Sequence, residues 1–128
     1  MFTIDADLSS IDTGVWRDFG GSKFLIAHIS NNNFQRELAR LQQPHRRKIE
    51  SGSMDPIVSK QILCQAMSKH IVLGWKDVVN KAGQPVPYSS DTAYQALLND
   101  PEFRDFVADV GQAIANFRAE EVEAMGKD

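Results

Sequence analysis

The stretch GVWRDFGGSKFLIAHISNNNFQ, residues 14–35, holds two kinds of apolar pattern, and the switch between them sets the fold class. Val15, Trp16 and Phe19 are spread around Arg17 and Asp18, and Lys23 to Ile29 (KFLIAHI) is a second strand-like run. Gly20, Gly21 and Ser22 join the two. Glycine tolerates the positive φ that tight hairpin turns need, so a small antiparallel hairpin is predicted here. After Ile29 the character changes. Asn31, Asn32 and Asn33 can each accept a hydrogen bond from the unpaired amides of a first helical turn. Phe34, Leu38 and Leu41 then follow at helical spacing.

Downstream, the punctuation is mostly helical. Pro44 has no N–H to give, so it interrupts this helix or opens the next. HRRKIESG, residues 45–52, reads as a short basic helical turn closed by Gly52. Asp55 and Pro56 form a strong helix start, because aspartate caps and proline fits the first turn. Ile62, Leu63, Ala66, Met67, His70, Ile71 and Gly74 give that helix a broad apolar face, and the pattern carries it as far as Trp75. A loop with Gly83, Pro85 and Pro87 leads through Tyr88 to a further helix start at Ser90 or Asp91. Asp100 caps the last helix, and Pro101 and Glu102 suit its first turn. Phe103, Phe106, Val107, Val110, Ala113, Ile114 and Phe117 recur at steps of three and four, one apolar stripe on an amphipathic helix. RAEEVEAM then continues helically but turns polar, a segment expected to fray or to meet a partner.

These signals predict an α+β, mostly α-helical fold, an N-terminal β-hairpin followed by four to five helices in a single domain spanning residues 1–128. Residues 1–12 read as a polar leader anchored by Phe2, Ile4, Leu8 and Ile11, and residues 118–128 as a polar C-terminal end.

The length of 128 residues suits one core, and the apolar share of 42% and charged share of 24% are ordinary for a globular chain. A net charge of −3 exerts no global pull on nucleic acid or anionic lipid. No apolar run approaches membrane-spanning length, and the acidic start lacks the pattern of a secretory signal. Cys64, the sole cysteine, excludes an intrachain disulfide and fits a reducing cytoplasm.

Reactive chemistry is scarce. No two of His28, His45 and His70 are spaced as a helical metal pair requires, so packing and capping are favoured over metal binding. Cys64 sits among Ile62, Leu63 and Ala66, which predicts a buried, inert thiol. The carboxylates are scattered: Asp55 and Asp100 have structural work as caps, and Glu120, Glu121 and Glu123 read as a solvated face. An enzyme is disfavoured, because no stretch offers converging acid, base and nucleophile, and no cofactor is expected.

Two features are left as partner-binding candidates. The first is the basic patch of Arg46 and Arg47 with Arg36 and Arg40 upstream. Clustered cations can release counterions from a nucleic-acid backbone, but this patch is short and the chain acidic. Contact with an acidic protein surface is favoured, the acidic C-terminal run of a neighbouring copy being one example. The second is the joint from Trp75 to Tyr88, stiffened by Pro85 and Pro87. It reads as a rigid connector packed on the core or as a docking surface, with the connector favoured.

The chain resembles the tail assembly chaperones of long-tailed siphophages over almost its whole length. The resemblance is carried by GVWRDFGGSKFLIA, by RRKIESGSMDP, by LGWKDVVNKAGQPVPYS with the helix start after it, and by DPEFRDFV followed by ANFRAEE. The third is the most specific, although Ala82 precedes Gly83 where the family often has an acidic residue or Asn. The resemblance implies a non-enzymatic morphogenesis factor in the host cytoplasm. It would hold the tape measure protein before the tail tube polymerises, and would be absent from the finished virion. Holding a long chain takes many weak, repeated contacts, so a homo-oligomer is expected, with the hairpin edge and the Phe34, Leu38 and Leu41 helix as its surfaces. The resemblance also implies a longer form, made by ribosomal frameshifting, that recruits tail tube protein. The C-terminal EAMGKD bears on this: Met125 is encoded by ATG, so a GGA codon at Gly126 followed by a Lys127 codon would read G GGA AAR, a slippery pattern. The rival readings are a structural tail-completion or head–tail component and a small nucleic-acid-binding regulator.

Overall fold

The computed structural model describes residues 8–118. The predicted hairpin is present: β1 (Val15–Phe19) pairs antiparallel with β2 (Ser22–Ile26), Val15 opposite Ile26 and Phe19 opposite Ser22. Gly20 and Gly21 take φ of 58° and 84°, the doubly positive geometry that suits the right-handed twist of a two-residue hairpin. Phe24 and Ile26 point into the core.

The hairpin is two-thirds of a larger sheet. The long helix, α4, spans Pro56–His70 and stops short of Trp75. The next residues form β3 (Val72–Lys76), antiparallel to β2, giving the sheet order β1-β2-β3. The predicted helical run to Trp75 is therefore corrected. Without β3, the outer edge of β2 would bury unpaired backbone groups, and β-branched Val72 and aromatic Trp75 fit a pleated surface better than a helix end. Lys23 and Lys76 lie directly opposite each other. That repulsion is eased by Asp18 on the far side of Lys23 and by the Trp16 ring, 4.5 Å from Lys76 Nζ.

The leader also needs correction at its inner end. Ser10–Thr13 forms one helical turn, α1. Its Ser10 Oγ donates to the Phe117 carbonyl at 2.9 Å, and the Ile11 carbonyl accepts from His28 N. Phe2 and Ile4 lie outside the described residues.

The remaining helices start where short polar side chains placed them. Asn31 caps α2 (Asn32–Gln42), Asp55 caps α4, Ser89 caps α5 (Ser90–Asn99) in a reciprocal pair with Thr92, and Asp100 caps α6 (Pro101–Gln112). Pro44 sits in a 3-10 turn (Gln43–His45) leading into α3 (Arg46–Glu50), and Gly52 ends it at φ 74°.

The C-terminal stripe through Phe117 does not remain one helix. At Gly111 a Cβ would lie 3.3 Å from the Ala27 carbonyl oxygen, and the Gly111 carbonyl accepts from Ile29 N at 2.9 Å. That close approach ends α6 at Gln112. A 3-10 turn (Ile114–Phe117) then folds Phe117 back into the interior. The expected helical continuation lies, after Arg118, outside the described residues.

The helices pack as α2 on α4, α4 on α5 and α5 on α6, over one side of the sheet. Between the layers lie Phe24, Ile26, Phe34, Met67, Val72, Leu97, Phe103 and Val107. The architecture is α+β and mostly helical, as the sequence predicts.

Candidate functional site

The Trp75–Tyr88 joint is a tight, internally bonded hairpin. Asn80 Oδ1 accepts from Ala82 N and Gln84 N at 2.9 and 3.0 Å, Gly83 takes φ 78°, and Val86 N donates to the Val78 carbonyl. Val79 and Pro85 form an antiparallel bridge. Trp75 Nε1 donates to the Val86 carbonyl at 2.8 Å, and the Tyr88 hydroxyl donates to the Val72 carbonyl at 2.6 Å. The two rings meet edge to face at 5.4 Å. Both residues thus spend their polar atoms on their own backbone, binding the connector to β3. Burial pushes the Tyr88 phenol above its ordinary pKa.

The four arginines of the basic patch lie on two helices, Arg36 and Arg40 on α2 and Arg46 and Arg47 on α3, joined without a gap by the 3-10 turn at Pro44. They are not equivalent. Arg40 forks onto Glu37, with Nη2 to Oε2 at 2.6 Å and Nε to Oε1 at 3.3 Å. Lys69 Nζ approaches the same carboxylate at 3.5 Å. The Arg40 hydrogen bond holds the Glu37 carboxyl below its ordinary pKa, with Lys69 adding to the effect. Arg46 lies a loose 3.7 Å from Glu50, with both side chains open to solvent. Arg36 and Arg47 are exposed and, among the described residues, carry no ion pair.

On these helices is a feature the sequence did not reveal. The end of α2, α3 and the start of α4 enclose a groove of about 330 Å³, lined by Leu38, Gln42, Ile49, Met54, Ile62 and Leu63. Ile49 and Leu63 are 41% and 40% exposed, and Ile57, on the first turn of α4, is 62% exposed. Periodicity placed Leu63 on the buried face. The helix is covered on two sides, by α2 and α5, and Leu63 falls in the gap beyond α2. The one available signal was Ile57, an isoleucine directly after Asp-Pro where a polar first-turn residue was open to the chain.

The remaining candidates are spread apart or sealed. His28 is buried, its Nδ1 accepts from Ser30 N at 3.0 Å, and its ring meets Phe117 edge to face at 5.1 Å. His45 lies in the 3-10 turn and His70 ends α4. Cys64 is fully buried, and desolvation raises its thiol pKa, the opposite of activation. Among the described residues no group of three His, Cys, Asp or Glu is placed to hold a metal, and no helix is long and apolar enough to cross a membrane. Glu120, Glu121, Glu123, Gly126 and Lys127 lie outside the described residues. The arrangement offers surfaces for non-covalent contact: a hollow lined by Arg46 and an apolar groove that share Ile49 and Gln42.

Residues 29–128 match the family described as YdaY prophage protein. No curated protein and no solved structure matches the chain.

Proposed function

The chain belongs to the YdaY prophage protein family, and from that phage origin we propose that it is a tail assembly chaperone. In this reading it holds the tape measure protein in the host cytoplasm before tube polymerisation and leaves before the virion is complete. A longer, frameshifted form recruits tail tube subunits. No bond is made or broken, and no metal or cofactor takes part.

The observation that carries the reading is the apolar groove with Ile49 and Leu63 exposed in its wall, which shares Ile49 and Gln42 with the adjoining hollow that Arg46 lines. A tape measure protein before assembly is a long helical chain with adhesive faces. Helix faces dock in apolar grooves, and flanking charges select their orientation. One groove of this size binds weakly. Several copies along one chain raise the effective concentration and hold it without permanent commitment.

The test is co-expression with the tape measure protein encoded in the same prophage, followed by affinity capture. Co-purification of the wild-type chain, lost with Ile49→Asp/Leu63→Asp, supports the reading. Equal capture by both proteins refutes the groove as the contact. Mass spectrometry of purified virions separates the structural alternative: a stoichiometric amount of this chain in the mature particle would make it a tail component instead.

A further inference from the structure

The turn end of the sheet holds a recess that the tape measure reading leaves unused. It measures about 220 Å³ and is lined by Phe19, Phe24, Trp75, Val78 and Phe103, with Asp100 on its wall. Sites for drug-sized ligands run to about 300–1,000 Å³, so this one suits a single long side chain. Phe24 and Phe103 are buried and form its floor, while Phe19 and Trp75 are half-buried. The rings are in contact through Phe24, whose centroid lies 4.9 Å from Phe103, 6.1 Å from Trp75 and 6.5 Å from Phe19. Trp75 commits its Nε1 to the Val86 carbonyl, so it offers the recess only ring carbon.

The charge around this aromatic hollow has one sign. Asp100 caps α6 through Oδ1, which accepts from Phe103 N at 3.1 Å, and among the described residues its carboxylate makes no ion pair. Ser22, also in the lining, donates its Oγ to the Asp77 carbonyl at 2.8 Å, which holds Asp77 at the mouth beside Val78. Asp77 is exposed and likewise makes no ion pair among the described residues. From Asp100 to Asp109 the chain carries four Asp and Glu against one Arg. That cation, Arg104, is turned to the end of α5, its Nη1 donating to the Leu97 carbonyl at 2.8 Å. Lys23 and Lys76 lie on the other face of the sheet, the one that bears Trp16.

Aromatic faces are the negative side of a quadrupole, and a carboxylate beside them deepens the negative potential. The group that complements both is a flat cation. A guanidinium stacks on rings, sheds water more readily than an ammonium and forks onto a carboxylate. We propose that this recess takes an arginine side chain presented by a basic peptide segment of a partner protein. The guanidinium lies against the rings and donates to Asp100, and flanking cations of the segment meet Asp77 and the α6 carboxylates. The site is separate from the groove between α2, α3 and α4, so it stands whether or not that groove holds a tape measure protein.

The test is fluorescence anisotropy of labelled peptides titrated with the purified full chain. An alternating arginine–leucine peptide is expected to bind. Its lysine–leucine counterpart should bind about threefold or more weaker, and a glutamate–leucine peptide should not bind the recess. Asp77→Asn/Asp100→Asn keeps the α6 cap, because Asn caps as well as Asp. It should weaken the arginine peptide by about fivefold or more. Ala96→Phe sets a ring into the recess that Ala96 lines and should abolish binding. Circular dichroism and thermal unfolding check that both variants fold, and if Ala96→Phe does not, the asparagine pair decides. A wild-type chain that ignores the arginine peptide overturns the proposal, as does binding that neither variant weakens. Equal binding of the arginine and glutamate peptides, both lost in Ala96→Phe, would make the recess merely apolar and overturn it too. Arginine and lysine peptides bound equally well would remove the stacked guanidinium.

Discussion

Asn31 tests whether the first long helix is held by its cap alone or by a buried bracket. A residue that only capped α2 would tolerate aspartate, since Asp and Asn are comparable N-caps and a negative charge favours the helix N-terminus. Here the side chain is 3% exposed and bonds on both sides. Its Oδ1 accepts from Phe34 N at 2.8 Å, while Nδ2 donates to the His28 carbonyl at 2.7 Å and the His70 carbonyl at 3.2 Å. It therefore joins the exit of β2, the start of α2 and the end of α4. Asn31→Ala loses the cap bond and so leaves the buried Phe34 amide unpaired, a penalty of about 1–3 kcal/mol. It also removes the Nδ2 bonds to two carbonyls, worth about 1 kcal/mol, so the expected loss is about 2–4 kcal/mol. Asn31→Asp keeps the acceptor but sets a carboxylate against two carbonyl oxygens. At neutral pH it should lose about 2 kcal/mol or more, most of the alanine effect. Those carbonyls and the burial raise the introduced group's folded pKa. Its penalty is therefore present above that pKa and relieved as pH falls and the protonated carboxyl becomes a donor. Urea unfolding at pH 7.5 and pH 5 measures both terms, with an unchanged m-value as the two-state check. If Asn31→Asp matches the wild type within about 0.5 kcal/mol at neutral pH, the Nδ2 bonds contribute nothing and the bracket argument fails.

Gly111→Val should destabilise by about 2 kcal/mol or more, because the Cβ would be 3.3 Å from a backbone oxygen that cannot withdraw without breaking the Ile29–Gly111 bond; thermal unfolding beside Gln112→Val, one position along, is the control. Phe117→Ala should cost about 3–5 kcal/mol in denaturant melts, since the ring is fully buried despite standing near the end of the described chain. Tyr88→Phe removes the bond to the Val72 carbonyl and should cost about 1 kcal/mol at neutral pH. The same variant should flatten the alkaline limb. Burial raises the folded-state phenol pKa, so its stabilisation is fully present below the unfolded value near 10 and lost as pH rises through the folded value. Stability measured from pH 8 to 11 checks the sign.

The candidate surfaces were half legible. Arg36, Arg40, Arg46 and Arg47 stood out as a cluster in the chain, and the fold puts them on two successive helices, α2 and α3, with only a 3-10 turn between. Which of them is committed was not legible. Arg40 is tied to Glu37, three residues away, whereas Arg36 stands directly before Glu37 in the chain and makes no ion pair with it. The groove beside them needs α4 to arrive from beyond Gly52, so no window on α2 or α3 could contain it. Trp75 and Tyr88 stood out in the sequence as the two ends of the joint, and their rings do touch. That they turn their polar atoms inward depends on β3, which the helical reading had absorbed.

What the sequence determined by itself is where elements begin and how the first two strands turn. Asn31, Asp55, Ser89 and Asp100 cap helices through amides two or three residues on, and Gly20 and Gly21 reverse the chain within their own φ angles. These are short-range hydrogen bonds and torsions, satisfied before any distant segment arrives. The ends of α4 and α6 were decided only by tertiary structure. Val72 to Trp75 becomes a strand because the outer edge of β2 needs partners, and α6 stops where Gly111 meets the chain at Ala27 to Ile29. Helix starts are fixed by groups that must be paired locally. Helix ends and sheet edges in this protein are fixed by backbone groups whose partners come from remote parts of the chain.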